Sequence, residues 1–349
     1  MRLGDICSKI GSGATPRGGK EAYSTSGIPI IRSQNVLDWS FSSNGLAYLN
    51  DEQAKTLSNV EVHQGDILLN ITGDSVARAC IVPSDVIPAR VNQHVAILRP
   101  KEKANATFIL AWLQTNKDLL LKLASSGATR NALTKRMLEG LDINLPSIDI
   151  QNHIAELISL IQSKINLNIK LNGYLEKLVS LEFSRRFKAS TPTIELGKVL
   201  SISTESIKPQ EHAGEIWEHY SIPAYDENRQ PLFELSDGIK SNKYAIDANC
   251  ILISKLNPAT KRIWMPSCTS EHSVCSTEFI VYKPKNPRYK SFYYAAIDSQ
   301  AFTDFLIAHV TGSTGSRQRT QPKATLTYPM PNPGHDAIEG FCAFADPIY

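Results

Sequence analysis

The sequence predicts an α+β protein built from two tandem homologous modules joined by a long coiled-coil helix. Three observations predict it. Short segments recur in one order at a near-constant offset, each copy opens on strand-like runs and closes on an amphipathic helix, and a long proline-free stretch separates the copies. At 349 residues the chain exceeds what one hydrophobic core usually serves. With 42% hydrophobic and 20% charged residues it has the composition of a folded protein. The expected boundaries are 1–147 for the first module, 148–190 for the helix, 191–331 for the second module and 332–349 for the start of a second, truncated helix.

The repeat carries most of this reading. Leu3-Gly4-Asp5-Ile6 is echoed by Leu196-Gly197-Lys198-Val199, a shift of 193, and Asp66-Ile67-Leu68-Leu69 by Cys250-Ile251-Leu252-Ile253, a shift of 184. Ile81-Val82-Pro83-Ser84 returns as Trp264-Met265-Pro266-Ser267 and Asn144-Leu145-Pro146 as Pro329-Met330-Pro331, shifts of 183 and 185. Ser126 to Arg130 returns as Gly312 to Arg317. Each match is short, but the shared order is hard to obtain by chance.

Within each copy, Ile28-Pro29-Ile30-Ile31, Asp66 to Asn70 and Val95 to Leu98 are apolar or alternating runs cut by Gly, Pro, Asn and Asp, which is the pattern of strands. Ala106 to Leu123 then places Phe108, Ile109, Trp112, Leu113, Leu119, Leu120 and Leu123 at three and four spacings, an amphipathic helix, and Phe292 to Val310 repeats the pattern. From Ile148 to Lys188 there is no proline and one glycine, Gly173, so a helix about 60 Å long is expected at 1.5 Å per residue. Its seam is written Ile154, Ile158, Ile161, Ile165, Asn168, Asn172, Leu175 and Val179, the alternating four and three steps of a heptad, which requires a partner helix. Ile165 to Asn172 also alternates strictly, as a strand does, but no turn residues bound it and helical spacing resumes at Leu175.

Charge and cysteine usage narrow the function. The formal charge is only +3, yet residues 78–136 hold ten Lys and Arg against three Asp and Glu, and residues 240–323 hold twelve against five. Grouped positive charge suits phosphate backbones, and an ordinary solvated surface is the alternative. The six cysteines show no C-x-x-C pair, which points away from zinc and from a disulfide framework. No signal peptide and no membrane span is indicated, so a cytoplasmic protein is expected.

The ordered motifs resemble the specificity subunits of Type I restriction-modification systems. The resemblance rests on Leu3-Gly4-Asp5-Ile6, the run from Gly27 to Val36, Gly65 to Leu69 and Val91-Asn92-Gln93-His94-Val95. It continues in Leu145-Pro146 through Gln151 to Ile154, and in Gly312 to Arg319. It implies two target-recognition domains, each reading one half of a bipartite DNA target, with spacer helices that fix the gap and dock modification subunits. It also implies a chain that is not catalytic by itself. Partner modification and restriction subunits would bind S-adenosylmethionine, ATP and Mg²⁺, and this chain would hold no cofactor. In one respect the chain departs from the family. Only 18 residues follow Pro331, so the second spacer helix is cut short. The exposed seam then leaves homodimerisation, or weakened assembly of a truncated subunit, as alternatives.

Self-contained catalysis finds little support in the residues. No Asn/Asp-Pro-Pro-aromatic tetrad of an amino methyltransferase occurs, and no Asp or Glu stands two positions before a lysine, the commonest nuclease signature. A restriction or modification enzyme with an unrecognised motif is the competing reading. The Gly11 to Lys20 loop lacks the first P-loop glycine and the Ser or Thr after the lysine. His212, Glu215 and His219 lack the H-E-x-x-H order of a zinc site, so no metal is expected. Base reading needs Arg, Asn or Gln on loops, with Lys and Arg on phosphates. The DNA-binding candidates are Arg32, Asn35, Arg78, Arg90, Asn92, Gln93, Arg130 and Lys135 in the first module, and Lys255, Lys261, Arg262, Arg317, Gln318 and Arg319 in the second.

Overall fold

The computed structural model describes residues 1–16, 18, 22–125, 132–187, 191–311 and 318–349. Contacts divide the chain into two units, Met1–Leu167 and Asn168–Tyr349. Unit 1 runs α1 (Leu3–Ile6), β1 (Cys7–Ser12), β2 (Ile28–Ile31), β3 (Ala47–Leu49), α2 (Asp51–Thr56), β4 (Glu61–Val62), β5 (Ile67–Asn70), β6 (Ala79–Ile81), β7 (Ala89–Val91), β8 (Val95–Pro100), α3 (Ala106–Thr115), α4 (Lys117–Ser125), α5 (Lys135–Glu139) and the start of α6 (Ile148–Arg186). Two sheets form, in the orders β1-β8-β5-β6 and β3-β2-β7-β4. Strand β5 explains why Ile67 to Leu69 is apolar without alternation: Ile67 and Leu69 pack under the helices, whereas Leu68 faces the core shared with Ile30, Ile31 and Ile97. A strand covered on both faces needs no polar side.

Unit 2 begins with the end of α6 and continues β9 (Thr193–Glu195), α7 (Leu196–Val199), β10 (Leu200–Ser203), β11 (Ser206–Ile207), β12 (Ile216–Tyr220), α8 (Ile222–Asn228), β13 (Leu232–Leu235), β14 (Lys243–Ala245), β15 (Ile251–Ser254), β16 (Ile263–Trp264), β17 (Ser273–Ser276) and β18 (Phe279–Pro284). It closes with α9 (Lys290–Ile297), α10 (Gln300–Ala308), β19 (Val310–Thr311), β20 (Arg319–Thr320), β21 (Pro329–Pro331) and α11 (His335–Ala345). Its two larger sheets are ordered β10-β18-β15-β16 and β11-β14-β17-β12-β13, and β19 pairs with β20 and β21 with β9. The first repeats β1-β8-β5-β6 strand for strand. The second repeats β4-β7-β2-β3 with β11 added at the edge, and in both copies the central pair, β2 with β7 and β12 with β17, is parallel. Central β15 is again split, Ile251 and Ile253 to one core and Leu252 to the other.

The duplicated Leu-Gly segments have a steric cause. A Cβ on Gly4 would stand 3.2 Å from the Glu139 carbonyl oxygen, and one on Gly197 would stand 3.2 Å from that of Leu326. Each glycine lets α1 or α7 press against the segment that closes its module. The expected single helix over 106–123 is two, because Asn116 ends α3, and 292–310 likewise divides into α9 and α10 at Asp298.

Helix α6 takes the alternating Ile165 to Asn172 stretch in its stride, since no turn interrupts its ladder. The residues written for its seam differ in burial. Val179 is wholly buried in the core of unit 2 with Phe183 and Phe187, and Ile158 and Leu175 are half-buried, whereas Ile154, Ile161 and Ile165 are exposed. The unpartnered stripe is Leu157, Leu160, Leu167, Leu171, Tyr174, Leu178 and Leu181, with Lys164 completing steps of three and four; these seven apolar residues are 47–69% exposed. It lies roughly a quarter turn round the helix from the line first written. Helix α11, eleven residues long, packs Ile338, Phe341, Cys342 and Ala345 into the core of unit 2.

Candidate nucleic-acid interface

In unit 1, β5 ends at Asn70 and the chain turns through Thr72 to Arg78 before β6 begins. This turn, the Ser33-Gln34 turn, His94 and Ala132 enclose a cleft of about 730 Å³ lined also by Gly73, Asp74 and Ser75. Buried Asn70 fastens the two turns, its amide donating to the Ser33 carbonyl at 2.9 Å and the Val36 carbonyl at 3.3 Å. Thr72 Oγ1 lies 2.6 Å from His94 Nδ1, and His94 Nε2 lies 3.0 Å from Gln93 Nε2. With the Gln93 amide donating to Nε2, the imidazole carries its proton on Nδ1 and donates it to Thr72. The exposed Gln93 amide is thus joined through His94, which lines the cleft, to Thr72.

The candidates of the first module separate by burial. Gln93 is exposed and Arg78 lines the cleft. Lys135 stands at the start of α5, its side chain 63% exposed and 3.5 Å from Glu139. Asn35 is wholly buried, its carbonyl oxygen accepting from the Arg32 N–H and its amide donating to the Ser42 and Asn44 carbonyls. Arg90 is also buried, bonded to the Ala54 and Ala89 carbonyls and paired with Glu61 at 2.8 Å. Asn92 is buried and accepts from the His94 N–H. Arg32 donates to the Gly45 carbonyl and stacks 5.5 Å from the Tyr23 ring centroid. Asn35, Arg90 and Asn92 are therefore buried and brace the backbone, and Arg90 lies in strand β7 where a loop was expected. Arg130 lies outside the described residues.

Unit 2 places its loops equivalently. The Ile71 N–H donates to the His94 carbonyl and the Lys255 N–H to that of Glu278; the Leu133 N–H donates to the Ile71 carbonyl and the Thr320 N–H to that of Lys255. Isolated bridges join Thr72 to Ala132 and Leu256 to Arg319. Arg78 and Arg262 correspond, accepting through their carbonyls from the Asn70 and Ser254 N–H groups. The side chains differ more than the frame. Arg262 is bidentate to Asp226 at 2.6 and 2.8 Å with 13% of its side chain exposed, and Lys261 meets Asp298 at 2.6 Å. Arg319 is bidentate to Glu278 at 3.0 and 2.9 Å. That bond holds the Glu278 carboxyl below the usual carboxylate range, against the effect of burial. Lys255 and Gln318 are half-buried beside this pair, Gln318 accepting from the Asn257 N–H at 2.9 Å, and Arg317 lies outside the described residues.

Sequence reasoning passed over Thr72, Gln34, His94 and Glu278. His94 follows the chosen Gln93 directly, and Glu278 is one of five acids in a basic stretch, so both carried a signal. Elsewhere, His219 bonds Glu234 at 2.6 Å instead of joining His212 and Glu215. Among the described residues no three His, Cys, Asp or Glu are grouped to hold a metal ion. Burial pushes the thiols of Cys7 and Cys80 up to about 12, far from a reactive thiolate. No helix of the described residues is long and apolar enough to cross a membrane.

Residues 1–177 match the family model of the Type I restriction modification DNA specificity domain. The chain belongs to this family. It is 22% identical over 162 residues to the putative type I restriction enzyme MjaX specificity subunit of Methanocaldococcus jannaschii, a match covering 45% of this chain and 37% of that relative. Among solved structures it is similar to the Type I restriction-modification S subunit from M. genitalium, with TM-score 0.50 and 13% identity over 99% of this chain and 88% of that one. The HsdS subunit from Thermoanaerobacter tengcongensis aligns with TM-score 0.35 and 14% identity over 100% and 88% of the two chains. The alignment with the M. genitalium structure extends over the residues of both units.

Proposed function

We propose that this chain selects the DNA site for a Type I restriction-modification complex. Residues 1–147 and 191–331 are its two target-recognition domains, each taking one half of a bipartite duplex target, and 148–190 is the spacer. The observation that carries this is the repeated frame, whose hairpins and loops present Gln93 and Arg78 in one unit and, at other positions of the same frame, Arg319 and Lys255 in the other. Arg, Lys and amide side chains on a shared frame are what two readers of different base sequences require. Methylation and cleavage belong to partner subunits that bind S-adenosylmethionine, ATP and Mg²⁺. The exposed stripe of α6 receives a helix from outside the chain, of a modification subunit or of a second copy.

The purified chain is expected to bind duplex DNA with an affinity that falls steeply with salt, because several phosphates are neutralised. In the presence of Mg²⁺ and S-adenosylmethionine it should neither cut nor methylate. Nicking or methyl transfer by the pure chain would favour a self-contained enzyme and end the subunit reading.

A further inference from the structure

We propose that Arg319, held along one edge by Glu278, reads a guanine in the half-site taken by unit 2. The assignment rests on unit 2 being a DNA reader and goes further by naming the base and the side chain. A guanidinium carries five N–H groups in a fixed plane. Glu278 occupies one edge: Nε donates to Oε2 at 3.0 Å and Nη2 to Oε1 at 2.9 Å. The end of the fork, one N–H each on Nη1 and Nη2, stays unengaged by that carboxylate. Two parallel donors at that spacing match O6 and N7 of guanine in the major groove, and no other base presents two acceptors there.

The backbone beneath is fixed as well as the side chain. Arg319 bridges to Leu256, its carbonyl accepts from Thr311 Oγ1 at 3.2 Å, and the adjoining Thr320, 1% exposed, donates its N–H to the Lys255 carbonyl at 3.0 Å. A reading head needs both a fixed base and an open tip. The Arg319 side chain is 44% exposed, whereas that of Arg262, gripped in the same bidentate manner by Asp226, is 13% exposed. Arg262 is therefore spent on its partner, and Arg319 is oriented but still accessible. Unit 1 has Ala132 and His94 at the two equivalent positions, so the Arg319–Glu278 pair is a difference between the heads, as asymmetric half-sites demand.

Enrichment of a random-sequence duplex library by the full chain tests this. The wild-type chain is expected to enrich a motif with a G·C pair that Arg319→Ala makes indifferent, a loss of about tenfold to a hundredfold in preference at that pair, with the rest of the motif kept. Arg319→Lys should retain affinity for DNA and still lose the preference, because an ammonium offers no fork. Glu278→Gln should weaken the preference by several-fold by loosening the side chain. An unchanged motif in Arg319→Ala, or an equal loss of preference at every position, overturns the assignment and leaves Arg319 a surface ion pair or a phosphate contact. Failure of the wild-type chain to enrich any motif overturns the sequence-selecting role itself, and this assignment with it.

Discussion

Glu218, wholly buried in unit 2, is the residue on which a loop hangs. Its Oε1 accepts from the Tyr220 hydroxyl at 2.6 Å, and its Oε2 accepts from the Ser270 N–H at 2.8 Å and from Thr269 and Ser273 hydroxyls at 3.2 Å. The same Tyr220 oxygen accepts from the Ser267 and Cys268 N–H groups at 3.2 Å, which fixes the turn between β16 and β17. Burial pushes the carboxyl up, but the four donors outweigh it and leave the value lowered. A carboxyl lowered by folding contributes stability at neutral pH, and that stability is lost as pH falls below the unfolded value of about 4.3. Urea unfolding of unit 2 should therefore weaken from about pH 4.3 downwards, and Glu218→Gln should cost about 1–3 kcal/mol at pH 7 while flattening the acid limb. An acid limb as steep in the variant as in the wild type would show that other groups carry it. Residue roles of this kind were the least legible in the sequence. Asn35 and Arg90 had the right chemistry on basic, loop-rich stretches, yet remote carbonyls and Glu61 consume them, and no local pattern announces such partners.

Helix α6 shows the same limit at the scale of an element. Absence of proline and turn residues gave its extent, 148–190 expected against 148–186 found, because helix formation is decided locally. The facing direction is decided elsewhere: two apolar lines at heptad spacing run along the helix, and the core of unit 2 buries Val179 from one of them, together with Phe183 and with Phe187 just beyond the helix end. The other line, Leu157 to Leu181, is exposed. Two substitutions separate these faces. Phe183→Ala, within 5.1–5.6 Å of the ring centroids of Phe187, Phe292 and Phe341, should cost about 3–5 kcal/mol in the unfolding of unit 2. The pair Leu167→Glu and Leu171→Glu should shift stability by no more than about 1 kcal/mol and yet abolish co-purification with modification subunits or a second copy, read by sedimentation. Retained assembly with both charges in place would mean that the stripe is not the docking surface.

At the scale of the molecule the duplication was legible because it is written in core strands and in the two glycines that closest packing demands. The offset between copies shrinks from 193 at Leu3 and Leu196 to 184 at Ile67 and Ile251, since the early loops of unit 1 are longer, and loops are where a fold tolerates such change. What each copy would read under the proposed function was not legible, because it would lie in side chains set on an unchanged frame. The proposed role of the spacer gives a test independent of those side chains. One heptad inserted after Asn168 keeps the stripe in phase and lengthens the helix by about 10 Å, which corresponds to about three base pairs at a rise of 3.4 Å. Sequencing-based mapping of methylated adenines, in cells that carry the chain with its modification subunits, should then report both half-sites unchanged and the gap wider by about three pairs. A five-residue insertion turns the stripe about 140° out of phase and should lose methylation altogether. Altered half-sites at an unaltered gap would place the spacing rule in the partner subunits instead of α6.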